Sequence, residues 1–108
     1  MNGIGPEELV HIRRSRGLML EFVYSNHGKQ LHRLTDSKLW ALLVGAGGTI
    51  GQRDVITLLQ EMRDRGYLTF VEDPDNWEGR LKIKDIVITP AGRDLVERTK
   101  KDAAVLIP

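Results

Sequence analysis

"LWALLVGAGGTIGQRDVITLLQEMRDRGYLTFVED" runs from Leu39 to Asp73, and its reading decides the fold. Read as strand, glycine loop, helix and strand, it is a parallel βαβ unit. Read as helix, turn, helix and strand, it is the front of a helical domain that ends in a hairpin. The opening residues discriminate. A first parallel strand is covered on both faces and is rich in Val and Ile. "KLWALLV" offers Leu, Ala and Trp instead, with Thr35 or Asp36 placed ahead as an N-cap, which favours a helix. Leu39, Trp40, Leu42 and Leu43 then share helix-face spacing, and "VGAGGTIGQ" is a glycine-rich break.

Working outward, Gln52 to Arg65 is the clearest helix, with Val55, Leu58, Leu59 and Met62 as its buried stripe and Gly66 as C-terminal cap. Tyr67 to Glu72 is strand-like, "DPDNWEG" has turn chemistry, and "RLKIKDIVI" returns as a second strand, so the pair is a hairpin with a long tip. Thr89 caps a last helix with Pro90 at its first position, and the apolar end "DAAVLIP" is suited to docking on its own domain or on a partner. Upstream, Pro6, Glu7 and Glu8 suit a first helical turn. Leu9, Ile12, Met19, Phe22 and Val23 form a broken apolar stripe through about Asn26, with Gly17 as a weak point and Gly28 as the stop.

The chain has 108 residues, a net charge of +1, 41% hydrophobic and 29% charged residues, which fits one globular domain with a single core. No apolar run approaches the roughly 20 residues that span a bilayer. "MNGIGPEELVHIRRSR" lacks the apolar segment of a secretory signal. The absence of cysteine removes disulfides and thiolate metal sites and suits the cytoplasm. His11, His27 and His32 lack the spacing of a helical metal motif, so neither metal nor cofactor is expected. Ser15, Ser25 and Ser37 have no recognisable base around them and the carboxylates are spread as counter-charges, so the expectation is no catalysis.

"LLVGAGGTIG" resembles the start of short-chain dehydrogenases and sugar epimerases, and an acid, Glu72 or Asp73, follows about 20 residues on, where such folds bind a ribose hydroxyl. The glycines at 45, 47, 48 and 51 place the last one a residue late. One crossover also cannot cover its own sheet, and the remaining strands pair antiparallel. A dinucleotide-binding βαβ fragment therefore stands as an alternative. "VITLLQEMRDRGYLTF" and "IVITPAGRDLVE" are similar to the third helix, wing strands and following helix of bacterial winged helix-turn-helix regulators of the MarR and PadR kind, across roughly residues 18–99.

That resemblance implies an α+β winged helix in one domain, residues 1–108. Its parts would be an N-terminal helix at 6–26, a helix-turn-helix at 36–65, a wing hairpin at 67–88 and a C-terminal helix at 90–106. The implied function is sequence-specific binding of double-stranded DNA as a transcriptional regulator, by a homodimer built through the N- and C-terminal helices. Thr49 and Ile50 would add a short strand to the hairpin. The turn after the second helix departs from the pattern in being longer and richer in glycine. A winged-helix module that binds protein rather than DNA is the second reading.

On the third helix, the face opposite the core carries Arg53, Thr57, Gln60 and Asp64, with Gln52 at the N-terminal end. Gln and Arg forks match adenine and guanine edges and Thr touches a thymine methyl. Gln52, Arg53, Thr57 and Gln60 are thus candidate base readers, or else an ordinary solvated face. Arg80, Lys82 and Lys84 alternate with Leu81 and Ile83, either as a phosphate rail or as a lysine-protected strand. Arg33 and Lys38 are placed to clamp a phosphate at the start of the second helix. Arg13, Arg14 and Arg16 read as a solvated basic face. Against DNA, Asp54, Glu61 and Asp64 are expected to cancel Arg53, Arg63 and Arg65 along the third helix, and the hairpin tip is acidic. Trp77 at the tip either folds over the hairpin base or anchors a protein partner.

Overall fold

In the computed structural model, which describes residues 5–26, 34–73 and 81–108, "KLWALLV" is helical. The element order is α1 (Pro6–Asn26), α2 (Asp36–Gly45), α3 (Gln52–Asp64), β1 (Leu68–Asp73), β2 (Lys82–Ile88) and α4 (Pro90–Val96). The result is a small α+β domain, with four helices and a two-stranded antiparallel sheet among the described residues. Among the described residues no parallel strand pair of the kind a βαβ unit requires is formed, and Leu39 to Val44 is helix. Among the described residues no helix is long and apolar enough to cross a membrane. The expected helix stop at Gly28, together with Arg33, Trp77 and Arg80, lies outside the described residues.

Two helices stop at glycine by the same device. After α2 the chain turns left-handed at Gly47, φ 90°, and the Gly47 and Gly48 amides donate to the carbonyls of Val44 and Leu43 at 3.0 and 2.9 Å. After α3, Gly66 is at φ 83°, and the Gly66 and Tyr67 amides close on Arg63 and Met62 at 2.8 and 3.0 Å. Both are Schellman closures, which need a residue tolerant of the left-handed region. The loop from α2 to α3 is then pinned by the Trp40 indole, whose Nε1 donates to the Ile50 carbonyl at 2.8 Å.

The core gathers Met19, Leu20 and Val23 of α1, Leu39 and Leu43 of α2, and the expected stripe Val55, Leu58, Leu59 and Met62 of α3. Leu42, expected on the same face, is exposed instead, at the edge of an α2 face narrower than its sequence spacing allows. In the sheet, Thr69 pairs with Val87 and Val71 with Lys84, so Asp85 and Ile86 together oppose Phe70 in a bulge. Asp85 adopts φ 52° there. The extra residue shifts the alternation so that Ile83, Ile86 and Ile88 all face the core, which simple period-two patterning would not permit. Thr49 and Ile50 form no strand. The segment ahead of α2 meets the hairpin instead: the Ile86 amide donates to the Leu34 carbonyl at 3.2 Å.

"TPAG" builds the exit from the sheet. Thr89 caps α4, its Oγ1 accepting from the Gly92 amide at 3.1 Å, while its own amide donates to the Tyr67 carbonyl at 3.1 Å. That carbonyl lies where a side chain at position 92 would begin, so only glycine fits.

The C-terminal helix expected over 90–106 ends at Val96. Arg98 takes a left-handed conformation, φ 64°, and the Arg98 and Thr99 amides close α4 on Leu95 and Asp94 at 3.1 and 2.9 Å. Beyond it the chain doubles back through a turn bridged between Asp102 and Val105 and lies on α1, where the Leu106 amide donates to the Arg13 carbonyl at 3.1 Å. Gly17, expected as a weak point of α1, is a buried notch: a Cβ there would overlap the Leu106 backbone. Asp102 anchors the turn, accepting from the Tyr67 hydroxyl and lying 3.6 Å from Arg65.

Gly92→Ala is expected to destabilise the domain by about 1–3 kcal/mol through overpacking against Tyr67, read by urea denaturation. The Asp102–Tyr67 pair also shapes both pH limbs. The Tyr67 hydrogen bond, then the Ala104 amide, hold the Asp102 carboxyl below its unfolded value of 3.8, so its stabilisation is whole above that pH and is lost as pH falls through the lower folded value. The same hydrogen bond raises Tyr67 above 10.0, so its contribution is whole below that pH and disappears as pH rises through the folded value. Asp102→Asn should flatten both limbs of a stability–pH profile.

Candidate nucleic-acid interface

Once α3 buries Val55, Leu58, Leu59 and Met62, its helical period turns Arg53, Thr57 and Asp64 out to solvent and leaves Gln60 half-buried. The outward face read from the sequence is therefore the face that is presented. Its members are not equally free. The Thr57 hydroxyl donates back to the Arg53 carbonyl at 3.3 Å, leaving its methyl and lone pairs for other contacts. The Gln52 side chain is drawn sideways to α2, with Nε2 donating to Ser37 Oγ at 3.2 Å.

That contact closes one side of a groove where the starts of α2, α3 and β2 converge. The groove has a volume of about 290 Å³ and is lined by Asp36, Ser37, Gln52, Arg53, Ile56, Leu81 and Lys82. It thus brings together Gln52 and Arg53, read as base contacts, and Lys82, read as a phosphate contact. Lys84 is exposed one pleat further along β2, on the same side as Lys82. Lys38 is exposed in the first turn of α2, and its amide is capped by Thr35 Oγ1 at 3.2 Å. Thr57 lines a different cleft, on the α1 side of the helix, and is not part of this groove. At the N-terminus of α3 the cap is Gly51, which supplies no side-chain hydrogen bond.

Asp36 is the structural key that sequence reading missed. It is the single buried charged residue among those described, at 4% exposure, and its Oδ1 accepts from the Ile83 amide at 3.2 Å. A carboxylate in the first turn of α2 thereby sets where β2 begins, and with it the position of Lys82 relative to Arg53. In "TDSK" the residue reads only as a helix cap. Thr35 takes that role, and no local pattern points across to a strand 47 residues away.

The charges of α3 are also arranged differently from expectation. Glu61 pairs with Arg16 of α1 at 2.7 Å, and Arg65 with Asp102. Arg63 reaches Glu72 of β1 at 3.2 Å while stacking 4.7 Å over the Phe70 ring. The Arg63–Asp64 contact, at 3.7 Å, is the one pairing within the helix among the described residues. Arg16, read as solvated, has a side chain only 13% exposed. Cancellation along α3 thus gives way, for Glu61, Arg63 and Arg65, to pairs that reach other elements, because a helix flank beside α1 or the hairpin finds closer partners there. Asp54 stays exposed beside Arg53 in the first turn. Among the described residues no ion pair engages Arg53, Lys82 or Lys84.

No protein-family model matches the chain, and neither a curated protein nor a solved structure matches it.

Asp36→Ala should cost about 1–3 kcal/mol by leaving the Ile83 amide without its buried acceptor, whereas Asp36→Asn, which keeps an acceptor oxygen, should cost less. Thermal unfolding of the two variants beside wild type measures the difference.

Proposed function

We propose that this protein is a winged-helix regulator that binds double-stranded DNA in a sequence-specific manner, with α3 entering the major groove. The observation that carries the reading is the convergence of Arg53 and Lys82 on one groove at the uncapped start of α3, with neither cation engaged by a carboxylate among the described residues. A reading helix meets base edges with its N-terminal half, where Arg53 lies, and a guanidinium fork suits guanine. Lys82 and Lys84 would follow the phosphates beside it, and helix-start amides add anion affinity. Gln60 and the Thr57 methyl extend the reading face, whereas Gln52, tied to Ser37, acts as a support. In this reading the regulator is a homodimer using α1, with its reading helices roughly 34 Å apart on the duplex.

A protein-binding module is the second reading, favoured by exposed apolar side chains at Leu42 and Val44 of α2 and at Val71 and Val87 of the hairpin. The two readings differ in their response to salt. Phosphate contacts release counterions, so affinity falls steeply with ionic strength. Fluorescence anisotropy with duplexes from the gene's own neighbourhood should show such a slope. Lys82→Ala should weaken all duplexes alike and reduce the slope by about 1, and Arg53→Ala should cost about 1–3 kcal/mol on the preferred sequence only. Absence of duplex binding at roughly 50 mM salt would reject the DNA reading and leave the protein-binding one.

A further inference from the structure

We propose that the C-terminal segment, residues 102–108, is a latch that sets how α3 sits against α1 and so regulates the DNA-facing helix. Only the regulatory consequence rests on the function proposed above.

Between α1 and α3 lies an open cleft of about 370 Å³. Arg16 crosses it, donating through Nε and Nη2 to Glu61 Oε2 at 3.1 and 2.7 Å. The same guanidinium donates through Nη1 to the Ala104 carbonyl of the C-terminal segment at 3.2 Å. A guanidinium is planar and its donors are fixed relative to one another, so holding one edge orients the other. The position of Ala104 therefore bears directly on the tie between α1 and α3.

Ala104 is held in turn by Asp102, whose Oδ1 accepts from the Ala104 amide at 2.9 Å. The other oxygen of Asp102 accepts from Tyr67, the residue that follows the glycine stop of α3, and lies near Arg65 at the helix end. The segment thus grips α3 at two places, mid-helix through Arg16 and at its C-terminus through Asp102. Its far end is fastened to α1. A helical side chain leans toward the preceding turn, and Gly17, having none, leaves the Arg13 carbonyl open to the Leu106 amide.

The latch has the composition of a reversible contact. Val105 is buried in the core and Ile107 packs against it, but Leu106 is 38% exposed and the ties to Arg13, Arg16, Tyr67 and Arg65 are polar. The connecting residues Glu97 to Lys101 are exposed throughout, and Arg98 within them holds a left-handed backbone unfavourable to a side chain. A terminal segment that buries one apolar side chain fully and is reached over an exposed connection opens at lower free-energy cost than the core helices, which suits a switch.

The test compares the full-length chain with Gly17→Ala, whose new methyl meets the Leu106 carbonyl, and with Asp102→Asn, which leaves α1 untouched. NMR-detected hydrogen exchange and duplex anisotropy are the readouts. The amides of Val105 and Leu106 should exchange about tenfold faster in both variants, those of Arg65 and Tyr67 should follow, and amides of α2 and β2 should not. Duplex affinity at low salt should fall severalfold. Faster exchange confined to residues 102–108, with affinity unchanged, would make the segment a passive cover and overturn the proposal. Retained protection of Leu106 in both variants would overturn it as well. If wild type binds no duplex, the DNA reading fails while the exchange data still decide the latch, and if Gly17→Ala does not fold, Asp102→Asn decides it alone.

Discussion

The hydrogen bond from the Gly48 amide to the Leu43 carbonyl ends α2 and reverses the chain, and most of the molecule follows from that reversal. A glycine loop that cradles a phosphate must offer unpaired amides. Here the Gly47 and Gly48 amides are consumed in closing a helix, so the loop serves as a joint. Trp40 then fastens the far side of the joint through Ile50, and α3 starts at Gly51 without a side-chain cap. The uncapped start faces the same groove as Arg53 and Lys82.

A chain with 16 Lys and Arg against 15 Asp and Glu has little net positive charge to place anywhere. Its cationic groove arises from the disposition of its acids. Glu61, Glu72 and Asp102 are drawn to Arg16, Arg63 and Arg65 on the other flanks of α3 and at its far end. Asp36, which does line the groove, is buried against the Ile83 amide. The more exposed of these pairs, Arg63–Glu72, adds little stability. The larger consequence of the pairs is geometric, since they draw Glu61, Glu72 and Asp102 to the flanks and far end of α3, while Asp54 stays exposed in its first turn beside Arg53.

The hairpin and the C-terminal segment show how backbone exceptions align otherwise ordinary sequence. The bulge at Asp85 and Ile86 rescues an apolar face that strict alternation would split. Gly92 admits the Tyr67 carbonyl, and Gly17 admits the Leu106 backbone. Tyr67 stands at the meeting of these features: its amide closes α3, its carbonyl receives Thr89, and its hydroxyl holds Asp102.

Sequence alone determined the elements whose causes are local. The α3 stripe, a cap at Thr35 or Asp36, the cap at Thr89, the glycine-rich break after α2 and the stop at Gly66 are matters of period and backbone preference within a few residues. The outward face of α3 was legible for the same reason, being the complement of its buried stripe. Tertiary structure alone decided that Asp36 positions β2, that Arg16 is sequestered, that Gln52 turns toward Ser37, and that the chain after Val96 lies back on α1. Each of these depends on partners between 15 and 93 positions apart in the sequence, brought together only when the core closes. A residue's own neighbours carry no record of such partners, which is why "TDSK" reads as a cap and why "DAAVLIP" reads as a docking segment without showing that α1 is where it docks.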